Sequence, residues 1–88
     1  MAKIKRLDVS PSSPGPNQVQ INADDGETIT SVTVSPSGGV TTVTNVGATT
    51  CNILNLASGS SYTITVVVNN QEYVYSISVG SDGTVTFN

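Results

Sequence analysis

The sequence predicts an all-β fold, an antiparallel sandwich of seven to eight short strands. Three observations lead there. Val contributes thirteen residues and Thr and Ser twelve each in a chain of 88, while good helix formers are scarce, a balance that suits a pleated, half-buried surface. Apolar residues alternate with polar ones over short runs, the period-2 pattern of a strand with one face buried. Gly, Pro, Asn and Asp break these runs about every 8–12 residues, as a sandwich or small barrel requires.

Taken in order, Lys5 to Val9 places Leu7 and Val9 on one face and predicts a short first strand. The segment Ser10-Pro11-Ser12-Ser13-Pro14-Gly15-Pro16 follows; its prolines cannot donate to a ladder, which predicts a connection. Gln18 to Ala23 alternates cleanly, Val19, Ile21 and Ala23 opposing Gln18, Gln20 and Asn22, and stops at Asp24-Asp25-Gly26. Glu27 to Ser35 is the next strand, with Thr30, Val32 and Val34 expected inward, and it ends at Pro36-Ser37-Gly38-Gly39. Between Val40 and Leu56 the pattern is irregular, and two short strands joined near Asn45 to Ala48, with a bulge, are expected. Tyr62 to Val68, apolar on both faces from Val66, belongs at the centre of a sheet. Asn69-Asn70-Gln71 connects it tightly to Glu72 to Val79, where Tyr73, Tyr75, Ile77 and Val79 share a face. Gly80-Ser81-Asp82-Gly83 then leads into Thr84 to Asn88, the Asp-Gly pair being a hairpin signal.

One stretch resembles a known architecture. The run from Cys51 to Val66 contains Leu56, Gly59 and Tyr62, with Ile53, Ile64 and Val66 alternating around them. It is similar to the tyrosine-corner segment of fibronectin type III and related immunoglobulin-like domains, in which a Leu lies six residues before the Tyr with a Gly between. The resemblance implies an immunoglobulin-like sandwich in which the phenol covers one end of the core and its hydroxyl bonds backbone upstream. Leu56, Gly59 and Tyr62 then have structural roles. The fibronectin-type core Trp is absent, only Val19 or Ile21 being available for it. With Cys51 as the sole cysteine the immunoglobulin disulfide is absent too, so the likeness is to the wider class. Val-Ser-Pro-Ser occurs at Val9 to Ser12 and again at Val34 to Ser37, and is similar to strands of bacterial immunoglobulin-like repeats, but no solenoid follows from it.

Charge divides the chain. Lys3, Lys5 and Arg6 are its only cations, and Asp8, Asp24, Asp25, Glu27, Glu72 and Asp82 all follow them. The expected organisation is a basic arm, residues 1–6, on one acidic domain, residues 7–88. Nucleic-acid binding needs several cations spread over a face to displace counterions, so no nucleic-acid partner is expected. No apolar run approaches the ~18 residues that cross a bilayer, and no membrane partner is expected. Leu7-Asp8-Val9-Ser10-Pro11 is not the apolar core of a signal peptide, which predicts synthesis in a host cytoplasm without a leader.

Chemistry-bearing groups are few. Without His the commonest general base is missing, and no Ser or Cys can be given the usual base partner. One Cys and no His cannot build a zinc site. Asp24-Asp25-Gly26-Glu27 is the one carboxylate cluster; it reads as a solvated turn and not a calcium loop, which needs a longer array of oxygens. No enzyme activity, metal or cofactor is expected. A small, acidic, Thr/Ser/Val-rich immunoglobulin-like domain looks like the auxiliary or decoration proteins of tailed bacteriophage capsids. That likeness implies a structural virion protein on the capsid surface whose partner is the major capsid protein or another virion protein, docked through Lys3, Ile4, Lys5 and Arg6. The alternative is a recognition module of an adhesin, tail fibre or other cell-surface protein, reading its ligand with the loops Asp24 to Glu27, Ser35 to Gly39 and Asn69 to Gln71.

Overall fold

The structure is a computed structural model that describes residues 9–24, 26–43 and 47–88. Among them there are eight strands and no helix: β1 (Ser10–Ser12), β2 (Val19–Asn22), β3 (Ile29–Ser35), β4 (Thr41–Val43), β5 (Thr50–Leu54), β6 (Ser61–Val68), β7 (Gln71–Val79) and β8 (Val85–Phe87). They form two four-stranded antiparallel sheets, ordered β1-β2-β5-β4 and β3-β6-β7-β8. The chain changes sheet between β2 and β3, between β3 and β4, and between β5 and β6, so each sheet is built from distant segments and neither closes without the other.

Alternation sets which side chains enter the core. Val19 and Ile21 of β2, Cys51 and Ile53 of β5, Ile64, Val66 and Val68 of β6 and Ile77 of β7 are completely buried. Val34, Leu56, Tyr62 and Val79 join them in one core. The opposite face of β2 and β5 stays polar: Gln20, Asn22, Asn52 and Thr50 join in a side-chain chain across the two strands, with bonds of 3.1–3.2 Å. β6 lies between β3 and β7, the position its two-sided apolar character demands. The β6–β7 hairpin turns on Asn69 and Asn70 alone, with φ of 53° and 65°. Two successive left-handed residues make a type I′ turn, whose twist matches the strands it joins, and Asn tolerates that region better than most side chains.

Two expectations are corrected. Ser10–Ser12 is a strand and not a connection: it pairs with β2 in the register Ser10 to Asn22, Pro11 to Ile21 and Ser12 to Gln20. The proline is accommodated because β1 is an edge strand, so the missing N–H can lie on the side that no neighbour uses. The predicted strand at Lys5 to Val9 falls, except for Val9, outside the described residues; Val9 is buried. In β3, Thr30 is exposed rather than inward, and Ile29 takes the core position. The register runs from Ile29 opposite Val68 directly to Ser31 opposite Val67. Thr30 is thus an extra, bulged residue that switches the alternation, bringing Ile29, Val32 and Val34 to one face, and its hydroxyl donates to the Val67 carbonyl at 3.1 Å.

Candidate functional site

The two ends of the sandwich differ in chemistry. At one end three connections are laced together: the Pro-rich loop after β1, the crossing from β5 to β6, and the turn from β7 to β8. Asn17 is the knot. Its backbone N–H donates to the Gly83 carbonyl at 2.9 Å and its own carbonyl accepts from Leu56 N–H at 3.1 Å. Its side-chain Nδ2 donates to the Leu56 carbonyl at 2.7 Å and to Ser58 Oγ at 3.0 Å. A φ of 60° aims all of these groups at once, in a region of backbone space where Asn is favoured over other non-glycine residues. Ser13 Oγ closes the proline loop on the Gly15 and Gln18 carbonyls, both at 2.9 Å.

Tyr62 sits beside this knot. It is 5% exposed, and its Oη accepts the Ala57 backbone N–H at 2.8 Å, five residues upstream. Leu56 is 2% exposed and fills the core beneath it. Gly59 turns the chain with φ 81° and donates its N–H to the Val79 carbonyl at 2.8 Å, tying the crossing to β7. The ring and its hydroxyl do separable work. Tyr62→Phe keeps the ring and leaves the Ala57 N–H without its acceptor, and should cost on the order of 1–2 kcal/mol. Urea titration of both proteins measures it, and equal midpoints would exclude the bond as a contributor.

The opposite end is acidic. Asp24 and Glu27 bracket a turn in which Gly26 has φ 84° and Glu27 N–H donates to the Asp24 carbonyl at 2.9 Å. Asp25 lies outside the described residues, and among those described no group of three His, Cys, Asp or Glu side chains stands close enough to hold a metal ion. The Asn69-Asn70 turn and Glu72 are at this same end, because Ile29, Val68 and Gln71 are aligned across β3, β6 and β7. β1 also enters here, Ser10 lying opposite Asn22. Lys3, Ile4, Lys5 and Arg6, the expected docking residues, lie outside the described residues.

Of the three loops expected to form a reading surface, Asp24 to Glu27 and Asn69 to Gln71 share the acidic end. The loop from Ser35 to Gly39 is at the other, since Ser35 pairs with Thr63 near the start of β6. The fold does not bring the three together. Tyr73 and Tyr75 are half-buried and packed on the core, with Tyr73 Oη donating to Gln71 Oε1 at 3.4 Å and Tyr75 Oη to the Val9 carbonyl at 3.0 Å. At the Asn17 end Ser13, Gly15, Pro16, Thr84 and Val85 line a shallow, open depression. Beside it the Asp82 carboxylate accepts the Thr84 backbone N–H at 3.0 Å, and hydrogen bonding from Thr84 holds its pKa below the ordinary value.

The importance of Asn17 was hidden in the sequence, where it reads as one more loop residue behind Pro16. Its one local signal is that Asn is a residue able to take a left-handed turn after a proline. No family model, curated protein or solved structure matches the chain.

Proposed function

We propose that the chain is an immunoglobulin-like, non-enzymatic structural subunit of a virus particle, an auxiliary or decoration protein on the exterior of a bacteriophage capsid. The observation that carries this reading is the segregation of charge: three cations within Lys3 to Arg6, and six carboxylates with no cation from residue 7 onward. An acidic body bearing one short cationic arm suits attachment of many copies to an acidic shell surface through that arm, with avidity supplied by the lattice. The immunoglobulin-like part of the reading draws support from strand order. The arrangement β1-β2-β5-β4 facing β3-β6-β7 has the order of the seven-stranded constant-type immunoglobulin sandwich, with β8 added beyond β7. Tyr62 at the start of β6, bonded upstream, occupies the place of that class's corner tyrosine.

The test is occupancy. Replacing Lys3, Lys5 and Arg6 together by Ser should strip the protein from purified particles, as measured by quantitative mass spectrometry against the major capsid subunit. On this reading the arm stands apart from the core, so the thermal transition should stay within about 2 °C. Unchanged occupancy would reject the arm as the anchor. Recovery of the chain in a cell-surface fraction, and none in particles, would favour the adhesin or tail-fibre module instead.

A further inference from the structure

The two sheets have unequal edges. β1 is three residues long and contains Pro11, and β4 and β8 are three residues each; short length and proline are the ordinary protections of a sheet edge. β3 has neither. It spans Ile29–Ser35, carries no charge, and is hydrogen-bonded to β6 on one side only. On its other side Ile29 N–H donates to the Ala48 carbonyl at 2.7 Å. From Ser31 to Ser35 no partner occupies that side among the described residues.

This stretch reads Ser31-Val32-Thr33-Val34-Ser35, the same in both directions. We propose that β3 is a self-recognition edge, pairing antiparallel with β3 of a second copy about a two-fold axis through Thr33. That register puts Thr33 opposite the second copy's Thr33, Val32 opposite its Val34, and Ser31 opposite its Ser35. Every inward valine then meets a valine and every outward hydroxyl meets a hydroxyl, the self-complementarity an isologous interface needs. Val34 is buried and Val32 half-buried on the core side, so pairing carries the core across the joint and covers the exposed part of Val32. Ser31, Thr33 and Ser35 are exposed on the outer face, where no like charges oppose one another, although each chain is acidic overall. The pairing is also self-limiting. The bulge at Thr30 bends the strand at one end, and Pro36, lacking an N–H, stops the ladder at the other. The product is one eight-stranded sheet, β8-β7-β6-β3 continued by its symmetry mate. Five residues of strand bury little area, so the dimer is a weak one. The proposal does not depend on attachment to a capsid.

Sedimentation equilibrium of the full chain from micromolar to millimolar concentration should fit a monomer–dimer equilibrium. Thr33→Lys sets two ammonium groups directly opposite across the axis and should raise the dissociation constant by about tenfold or more, with an unchanged far-UV circular dichroism spectrum. Thr33→Cys should form a covalent dimer under mild oxidation, since opposed residues of an antiparallel pair have Cα atoms about 4.5–5.5 Å apart, within disulfide range. Thr63→Cys, exposed one strand further in, should not. A chain that stays monomeric with no crosslink overturns the proposal, as does a dimer that forms normally in Thr33→Lys and fails to crosslink through Thr33→Cys. If Thr33→Lys does not fold, the crosslinking pair decides alone.

Discussion

Ile64→Ala is expected to lower stability by about 3 kcal/mol and the melting temperature by about 12–24 °C. Ile64 is completely buried on β6 and stands directly between Val34 of β3 and Tyr75 of β7. Truncation removes three carbons from the middle of the β3-β6-β7 layer, where ladder hydrogen bonds on both sides prevent the backbone from collapsing into the space. The loss is therefore transfer free energy plus a cavity that stays open. At about 0.05–0.15 kcal/mol per residue, a domain of this size has about 4–13 kcal/mol to lose, so the variant retains about 1–10 kcal/mol and reaches the edge of folding only at the lower bound. Thr63→Ala, one residue away and facing out, should stay within about 0.5 kcal/mol. Thermal and urea unfolding of the pair check the contrast. Similar losses in both would mean that β6 is not buried on one face.

The second large effect is at Gly83. Its φ is 89°, and a Cβ there would fall 2.9 Å from Pro16 Cβ and against the Asn17 side chain. Gly83→Ala therefore combines left-handed strain, about 1–2 kcal/mol, with a collision at the residue that holds the end of the sandwich together. If Asn17 moves aside, its bonds to the Leu56 carbonyl and Ser58 Oγ go with it. A total of about 3–4 kcal/mol is expected. Two other glycines separate the contributions. Gly39 has φ 75° with open space around it, and Gly38 has open space without a left-handed φ. Gly39→Ala should cost about 1 kcal/mol, and Gly38→Ala should be neutral or slightly stabilising, because alanine restricts the unfolded chain. Denaturation midpoints in any order other than Gly38, Gly39, Gly83 would contradict this account.

Much of the strand map was legible because alternation is local. Val19, Ile21 and Asn22, or Ile64, Val66 and Val68, announce their faces without reference to the rest of the chain. The break at β3 was less legible. Counting in twos from Val34 back to Thr30 puts a hydroxyl inside, and only the register against Val67 and Val68 shows the extra residue that lets Ile29 in. Pro11 misled for a related reason. A proline excludes a central strand and not an edge one, and whether a segment lies at an edge depends on which strands end up beside it.

The candidate site divides in the same way. The separation of the three cations, all within residues 3–6, from the six carboxylates that follow is a property of order along the chain and needs no fold. Leu56, Gly59 and Tyr62 were visible as a short pattern, since they serve one turn. Asn17 was not, because its partners Leu56 and Ser58 are 39 and 41 residues away.

By itself, then, the amino-acid sequence determined the all-β class, the positions of the strands from β2 onward and the distribution of charge, all of which follow from neighbours within a few residues. Only the tertiary structure decided that Ser10–Ser12 forms an edge, that Thr30 bulges, that Asn17 knots three loops together and that Ser31 to Ser35 of β3 pairs with β6 alone among the described residues. Each of these depends on which distant backbone groups come within hydrogen-bonding distance, and that is settled when two sheets, each assembled from separated segments, close on one core.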